Sequence, residues 1–432
     1  MCSELFRIPL TWGTVPIFGA GVLLLVWAVF SVLGLKTTAR AVGWSTALKA
    51  HLPTIIIVAA AITFFVPNYF PDGVPIRGYG MMVLLGSIAG IGLSIRRAGE
   101  AGVPGEEIMG LAVWMFIAGV AGARLFYVIE YWDDRIRQAD WSSTLKAALS
   151  FTEGGLVVYG AFIGAMIGFT LYMRRRGLPA LALCDMISAG MLVGLAFGRI
   201  GCLMNGCCYG GESEAPWAIS FPRESAPDMV SPPYGEQAAS GAFYGFHLKS
   251  SNDDGAPAII DRINDHSVAA AAGLKAGDRI AKIDGNTLVG VAGAETLIYQ
   301  AFMQGEPLTI VTSDGATHQL PGIKPPPRSR PVHPAQIYST ITASLLAWVL
   351  WSYYPFRRRD GEVTALMITL YPIARFLEES IRVDESPVFG TGLSISQNVS
   401  ILLLLAAAGM WVWLLRKPAG NLVFPQTAVA SS

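Results

Sequence analysis

An arginine inside an apolar segment is the first residue of this chain that demands a chemical explanation. Arg199 sits in the run Gly198-Arg199-Ile200-Gly201-Cys202-Leu203-Met204-Asn205-Gly206-Cys207-Cys208-Tyr209-Gly210, at the end of a long apolar stretch. A buried arginine in lipid costs at least about 2.5–3.5 kcal/mol on insertion scales, so it needs a partner or a task. The glycines, Asn205 and two adjacent cysteines then break the helix. Broken backbone at membrane depth survives only inside protein or beside a cavity. A second set is Tyr371, Arg375, Glu379 and Arg382, spaced i, i+4, i+8 and i+11, which is one helix face, with Glu378 beside it. Arg375 and Glu379 at i, i+4 can neutralise each other and only staple helices. Arg199 and Arg124 would still be left over. Two or three arginines around one cavity suit a phosphate, because the planar guanidinium binds phosphate oxygens in bidentate fashion. The phosphate available at that depth is an anionic phospholipid head group.

The elements that must position these residues follow from composition. The chain has 432 residues, 53% hydrophobic and 14% charged. A soluble protein carries about 25% charged residues, so this is a polytopic α-helical membrane protein. A formal net charge of zero gives no support to a nucleic-acid partner. Apolar runs fall at roughly 15–35, 53–70, 78–95, 108–130, 155–173, 181–203, 335–353, 363–381 and 394–415. The second is a short run bracketed by Pro53 and Pro67. Lys36, Arg40 and Lys49, then Arg96 and Arg97, the arginines at 174–176 and 357–359, and Arg416 with Lys417 follow the odd-numbered runs. About nine spans result, with the N-terminus outside and the C-terminus inside. The tail from 417 to 432 reads as disordered.

On this topology the intramembrane polar residues choose one leaflet. Tyr79, Arg124, Gly155 with Tyr159, Arg199 with Asn205, His333 with Gln336, then Arg375, Glu379 and Arg382, and finally Gln397 all fall in the outer half. Scattered structural polar residues would have no reason to do so.

One long connection, about 204–334, has soluble character and lies outside. Within it, residues 240–322 resemble a PDZ domain. The resemblance rests on Tyr244-Gly245-Phe246-His247-Leu248, on Ile259-Ile260-Asp261-Arg262-Ile263, and on the run from Ser267 through Gly273-Leu274-Lys275-Ala276-Gly277-Asp278-Arg279-Ile280 to Asp284-Gly285. A helix is expected over 293–304 and a strand over 308–312. By resemblance, Tyr244, Gly245 and Phe246 would bind an extracytoplasmic polypeptide added to a sheet edge. The alternative is a packing insert with a dead groove. The division is then 1–74 (two leading helices), 75–212 (core, first part), 213–239 (connection), 240–322 (small α/β PDZ-like domain), 323–334 (stiff Pro-rich linker), 335–416 (core, second part) and 417–432 (cytoplasmic tail).

The membrane motifs match a family as an ordered set. The chain resembles the bacterial phosphatidylglycerol–prolipoprotein diacylglyceryl transferases. The matching pieces are Arg77-Gly78-Tyr79-Gly80-Met81, Gly122-Ala123-Arg124, residues 153–160, the signature at 198–210, His333-Pro334-Ala335-Gln336-Ile337-Tyr338, residues 371–384, and Gly392-Leu393-Ser394-Ile395-Ser396-Gln397. Coverage is about 75–415 apart from the insert. The resemblance implies transfer of the diacylglyceryl group of phosphatidylglycerol to the lipobox cysteine of a prolipoprotein signal peptide. It implies the outer leaflet of the bacterial inner membrane, and departure of glycerol phosphate.

The residues suit that chemistry. The leaving group is a phosphate ester anion, so charge stabilisation matters more than a proton. Arg199 and Arg375 are expected to hold the phosphate. Asn205 and the backbone to Gly210 could add neutral donors, with Arg124 and Arg382 as further contacts. The nucleophilic thiol must be deprotonated. Some family members carry a histidine where this chain has Tyr159, and a phenol with an ordinary pKa near ~10 is a poor base. Tyr159 is then a hydrogen-bonding lid, or the base is Glu379, Tyr371 or His333, or none is dedicated. The carboxylate found after Tyr338 in some relatives is Ser339 here. Cys202, Cys207 and Cys208 are expected to be small buried residues, since the acceptor thiol belongs to the substrate. Their spacing predicts no metal site, and no cofactor is called for. Cys2 directly follows Met1 and is not expected to be a lipid-anchor cysteine.

Other membrane chemistries fit less well. None of the five histidines is followed by Glu or paired at i, i+4, which excludes an H-E-x-x-H metalloprotease. A serine intramembrane protease would need a histidine well inside a span. A non-catalytic phospholipid-binding scaffold remains, favoured by Tyr159 and Ser339.

Overall fold

A computed structural model describes residues 4–8, 19–70, 73–138, 140–150, 155, 157–226, 229–249, 253, 255–382 and 392–420. Strand β1 (Glu4–Ile8) leads to helices α1 (Gly19–Val42) and α2 (Trp44–Tyr69), then β2 (Val74–Arg77). Five further helices follow: α3 (Gly78–Glu100), α4 (Gly105–Glu130), the short α5 (Trp141–Leu149), α6 (Val158–Arg176) and α7 (Ala180–Asn205). After the insert come α11 (Ala335–Tyr353), α12 (Glu362–Glu379) and α13 (Ile395–Leu415). The insert itself comprises β3 (Glu224–Ala226), β4 (Met229–Val230), α8 (Pro232–Ala239), β5 (Phe246–Leu248), β6 (Ile260–Ile263), α9 (Val268–Ala271), β7 (Ile280–Ile283), β8 (Asn286–Thr287), α10 (Gly290–Gln304), β9 (Leu308–Thr312) and β10 (Thr317–Leu320).

Among the described residues, six helices are long and apolar enough to cross a membrane: α1, α2, α3, α4, α7 and α13. The other three expected spans form helices of mixed composition. Helix α6 ends in Arg174, Arg175 and Arg176, and α12 carries Glu362, Arg375, Glu378 and Glu379. Helix α11 intersperses Ser and Thr at 339, 340, 342, 344 and 352. The second apolar run is longer than the prolines suggested, because Pro53 and Pro67 both lie inside one helix, α2. The ribbon pairing β1 with β2, and helix α5, have no counterpart in the sequence reading.

Small residues set the close helix contacts, as packing in lipid favours. An ideal Cβ on Gly90 of α3 would lie 2.5 Å from Gly190 O of α7, and one on Gly160 of α6 would lie 2.5 Å from Gly122 O of α4. Helix α12 is fixed at its start by a residue of α7. Asp185, buried, accepts from Gly361 N at 2.7 Å, Thr364 N at 2.8 Å and Thr364 Oγ1 at 2.7 Å. This carboxylate satisfies the open N–H groups at the N-terminus of another helix, where negative charge is favoured. Asp185→Ala is expected to cost roughly 2 kcal/mol or more, since it strands buried donors. Thermal unfolding in detergent checks this, and an unchanged melting temperature would contradict it.

The insert has its own core. Strands run in the order β10-β9-β7-β8, all antiparallel, and β5 pairs with β6. A bridge between Ile259 and Arg279 joins the two sheets. Helix α10 buries Val291, Ala294, Ile298, Ala301 and Phe302 against Ile283, Leu308 and Ile310. Residues 232–239, expected in a connection, supply Tyr234 and Ala238 to the same core. The 323–334 stretch is not a free linker. It pairs with residues 211–223 through Ser213 N to Pro331 O at 3.0 Å, Val332 N to Ile219 O at 2.9 Å and Arg223 N to Pro327 O at 3.0 Å. The tail is also partly ordered: Gly420 N donates to Arg358 O at 3.0 Å and Arg359 Nε to Lys417 O at 2.8 Å, while 421–432 lie outside the described residues.

A titratable group of β5, His247, packs against Glu212 and Arg330 of the paired stalk. Burial, then the positive charges of Arg262 and Arg330, lower the His247 imidazole to about 4. Glu212 lies 3.7 Å from its Nε2, yet burial and the arginines dominate, because Arg330 is closer to that carboxylate at 3.1 Å. The unfolded chain binds the proton near pH 6.5 and the folded one only near 4, so stability contributed here is complete above 6.5 and falls as pH drops toward 4. Burial pushes the Glu212 carboxyl up, which opposes the loss. The difference between wild type and His247→Gln isolates the histidine. The variant is expected to flatten that acid limb, and identical pH profiles of melting temperature would refute the assignment.

Candidate active site

Helix α7 delivers both Arg199 and the turn that follows it. It ends at Asn205, where Gly206 takes φ +77° and its N–H returns to the Leu203 carbonyl. The turn is then tied down from two sides. Gly210 N donates to His333 O at 2.9 Å, and Gly211 N to Ile381 O at 3.0 Å, beyond the end of α12. A Cβ on Gly210 would lie 2.7 Å from His333 Cβ, so only glycine allows this approach. Gln336, fully buried at the start of α11, donates from Nε2 to Cys207 O at 2.8 Å. His333 and Gln336 therefore hold the signature turn, and the His333 ring hydrogen-bonds Tyr338 OH at 3.2 Å.

Beside the turn, α7, α11 and α12 enclose a water-sized cavity of about 10 Å³ lined by Arg199, Tyr371, Arg375, Glu378 and Ser339 among others. Its two arginines differ. Arg375 Nη1 lies 2.6 Å from Glu379 Oε2, an ion pair without hydrogen-bond angles, and its Nη2 donates to Ser396 Oγ at 2.9 Å. Buried Glu379 also accepts from Ser394 Oγ at 3.1 Å and lies 3.9 Å from Arg382 Nε. Among the described residues, no hydrogen bond or ion pair engages the Arg199 guanidinium. Of the two cations facing the cavity, Arg375 is paired and Arg199 has no hydrogen-bond or ion-pair partner among the described residues. A larger cavity of about 510 Å³ between α3, α4 and α7 is lined by groups such as Leu84, Phe116 and Met191 and carries no ionisable side chain.

The expected four-residue stripe divides. Tyr371, Ala374, Arg375 and Glu378 line the cavity, at i, i+3, i+4 and i+7, whereas Glu379 turns toward α13. Helix α12 stops at Glu379, so helical spacing does not place Arg382. Spacing alone does not single out Glu378 and Ser339, which line the cavity. Ser339 Oγ donates to Glu378 Oε2 at 2.5 Å, which puts a carboxylate beside the position after Tyr338. The i+3 relation to Arg375 was the available signal.

A second convergence was not expected. The Sγ atoms of Cys202, Cys207 and Cys208 lie within 4.8 Å of one another, so the spacing that predicted no metal site hides a cluster that could hold one. Arg199 and Arg382 act on Cys208 electrostatically, and Asn205 reaches Cys207. Tyr79 sits at the start of α3. It packs on Gly201, where a Cβ would lie 3.0 Å from its ring.

Several expected contacts lie elsewhere. Arg124 is buried and donates to three backbone carbonyls, Ala148 O at 2.9 Å, Ala147 O at 2.6 Å and Gly155 O at 3.0 Å. It clasps the C-terminus of α5, where cations are favoured, and is absent from the cavity lining. Gly155, at φ +80°, fits there because a Cβ would meet the Tyr127 ring at 2.6 Å. Tyr159 is 51% exposed and does not line the cavity. Glu153, Gly154, Leu156, Val383, Asp384 and Cys2 lie outside the described residues. Gln397 completes a capping box with Ser394, donating its N–H to Ser394 Oγ at 3.2 Å.

The peptide-binding expectation for Tyr244, Gly245 and Phe246 is also corrected. Tyr244 and Phe246 are buried in the insert core. Gly245 N donates to Ala242 O at 3.0 Å, Phe246 N to Gly241 O at 3.3 Å and Leu248 N to Ser240 O at 3.1 Å. The chain's own residues 240–242 occupy the edge that a peptide strand would need, and α8 packs on α10 beside it.

Comparisons with known proteins point to one family. A family model described as prolipoprotein diacylglyceryl transferase matches residues 67–413. A protein of Rhodopirellula baltica named phosphatidylglycerol–prolipoprotein diacylglyceryl transferase is 34% identical over 94% of this chain and 88% of its own length. Proteins of the same activity name from Gloeobacter violaceus and Clostridium perfringens are 32% and 31% identical. Those matches cover 36% and 40% of this chain, and 56% and 64% of those proteins. With a family match across the signature turn, the cavity and all the helices that build them, the chain belongs to the prolipoprotein diacylglyceryl transferase family.

Proposed function

We propose that this chain transfers the diacylglyceryl group of phosphatidylglycerol to the lipobox cysteine thiol of a prolipoprotein, the first step of lipoprotein maturation. The observation that carries the mechanism is Arg199, a cation at a cavity between three helices with no internal partner among the described residues. A phosphodiester supplies the missing anion. The acceptor thiol releases its proton to solvent, its sulfur attacks the glyceryl carbon, the carbon–oxygen bond to phosphate breaks, and the second negative charge develops on the departing glycerol phosphate. Arg199 and Arg375 oppose that charge where it grows, and a preorganised cation in a water-poor site is worth more than in water. Asn205 and the turn to Gly210 would offer neutral hydrogen-bond donors to the same head group.

The orientation that suits this reading has nine crossings, the N-terminus outside and the C-terminus cytoplasmic, in the bacterial inner membrane. Basic loops after alternate helices support it. The insert, PDZ-like in sequence, then lies outside as a packing element. Its paired stalk holds residues 210–211 against His333, so it braces the signature turn rather than capturing peptides.

Purified protein in phosphatidylglycerol-containing micelles is expected to move a label from the lipid glyceryl group to a lipobox peptide bearing cysteine, and not to its serine counterpart. Absence of transfer with competent lipid and peptide would favour the non-catalytic scaffold.

A further inference from the structure

The three clustered thiols are not used by the reaction as described above. We infer that Cys202, Cys207 and Cys208 form a binding site for a soft divalent cation, zinc by donor chemistry, whose remaining position takes the acceptor thiol. The inference rests on the transferase reading for its last clause only.

Geometry is the first support. All three Sγ atoms lie within 4.8 Å of one another. Thiolates bound tetrahedrally to zinc at about 2.3 Å stand about 3.8 Å apart, a change that small side-chain rotations supply. Backbone is the second support. Cys208 has φ +59°, in the left-handed region that a residue with a Cβ enters only at an energetic cost. Neighbouring side chains in extended chain point to opposite sides. The left-handed turn instead brings two consecutive thiols to one side, facing Cys202. Such an outlier is kept where it serves a site.

The surroundings suit a charged cluster. The thiols are only partly buried, which leaves an entry path. Three thiolates and one divalent cation sum to one negative charge, and Arg199 and Arg382 act on Cys208 from beside it. The turn is rigid, because Gln336 holds the Cys207 carbonyl at 2.8 Å. Supporting bonds of this kind fix ligand orientation in metal sites. Among the described residues, no fourth Cys, His, Asp or Glu joins the three. Structural zinc sites are closed by four protein ligands, whereas three leave a position for an exogenous group.

The acceptor thiol is the exogenous ligand that the reaction provides. Coordination would release its proton to solvent and keep the sulfur as thiolate. The sulfur then forms a bond to the glyceryl carbon, the carbon–oxygen bond breaks, and its electron pair leaves on glycerol phosphate. The metal undergoes no redox change. This accounts for thiol activation in a chain that carries Tyr159 where some family members carry a histidine.

The test uses the full-length chain purified in detergent after growth with zinc. Wild type is expected to carry about one zinc per chain, and Cys207→Ser less than about a tenth of that. Cys208→Gly relieves the strained φ, so it is expected to fold at least as well as wild type and still lose the metal. Cys184→Ser, outside the cluster, is expected to keep it. Cobalt-substituted wild type is expected to show thiolate-to-metal absorption that changes on adding a lipobox peptide with cysteine and not with serine. Wild type that transfers diacylglyceryl while holding no zinc, or that contains a disulfide within the cluster, would overturn the site and leave the transferase reading intact. Zinc retained in Cys208→Gly would also overturn it. A cobalt spectrum blind to the cysteine peptide would overturn the open position. A metal-loaded wild type that never transfers would instead count against the transferase reading, with the site upheld by its metal content.

Discussion

Replacing Arg199 with alanine is expected to lower kcat for diacylglyceryl transfer about 100–1,000-fold, the range seen when one oxyanion-stabilising donor is removed. The ground-state phosphodiester carries one negative charge and the departing glycerol phosphate two. Arg199 therefore matters most as the carbon–oxygen bond breaks, and KM should change far less than kcat. Stability should hardly fall, because among the described residues no carboxylate is hydrogen-bonded to or ion-paired with Arg199. Arg199→Lys should recover part of the rate, since a point charge replaces a bidentate fork. Wild-type kcat in Arg199→Ala, measured with saturating lipid, would remove Arg199 from the mechanism.

Arg375 is expected to behave differently, because it does two things at once. Its ion pair with Glu379 is buried, with side-chain exposures of 12% and 3%. Arg375→Ala should cost about 3–5 kcal/mol by leaving a carboxylate uncompensated, in addition to a loss of activity. Arg375→Met combined with Glu379→Leu removes both charges and should recover most of the stability. It should not recover transfer if Arg375 faces the phosphate. Recovery of both in the double variant would reduce Arg375 to a helix staple. Melting temperature and kcat on the same preparations separate the outcomes.

The membrane helices and the site region were readable because lipid imposes simple rules. An arginine at a helix end followed by Gly, Asn and Cys stands out against apolar neighbours, and the structure puts Arg199 at a cavity with Tyr371 and Arg375. What spacing could not reveal was the partner each polar group chooses. Arg124 looked like a spare cation, but short α5, which carried no clear signal, presents carbonyls to it. Glu379 looked like the cavity carboxylate, yet α12 turns Glu378 inward and gives Glu379 to Ser394. Gln397 caps its own helix. The thiol cluster depends on one left-handed residue, Cys208, and no periodicity announces that. In the insert, strand and helix patterns were clear, but the occupation of the β5 edge by residues 240–242 is a tertiary choice.

The central claim is that Arg199 and Arg375 stabilise a departing glycerol phosphate while a peptide thiol is alkylated. The most direct measurement follows glycerol phosphate release and peptide mass together in one reaction. Equal amounts of released glycerol phosphate and of peptide carrying an intact diacylglyceryl group are predicted for wild type, with both slowed in step by Arg199→Ala. Peptide modified without glycerol phosphate release, or release at an unchanged rate in Arg199→Ala, would contradict the account.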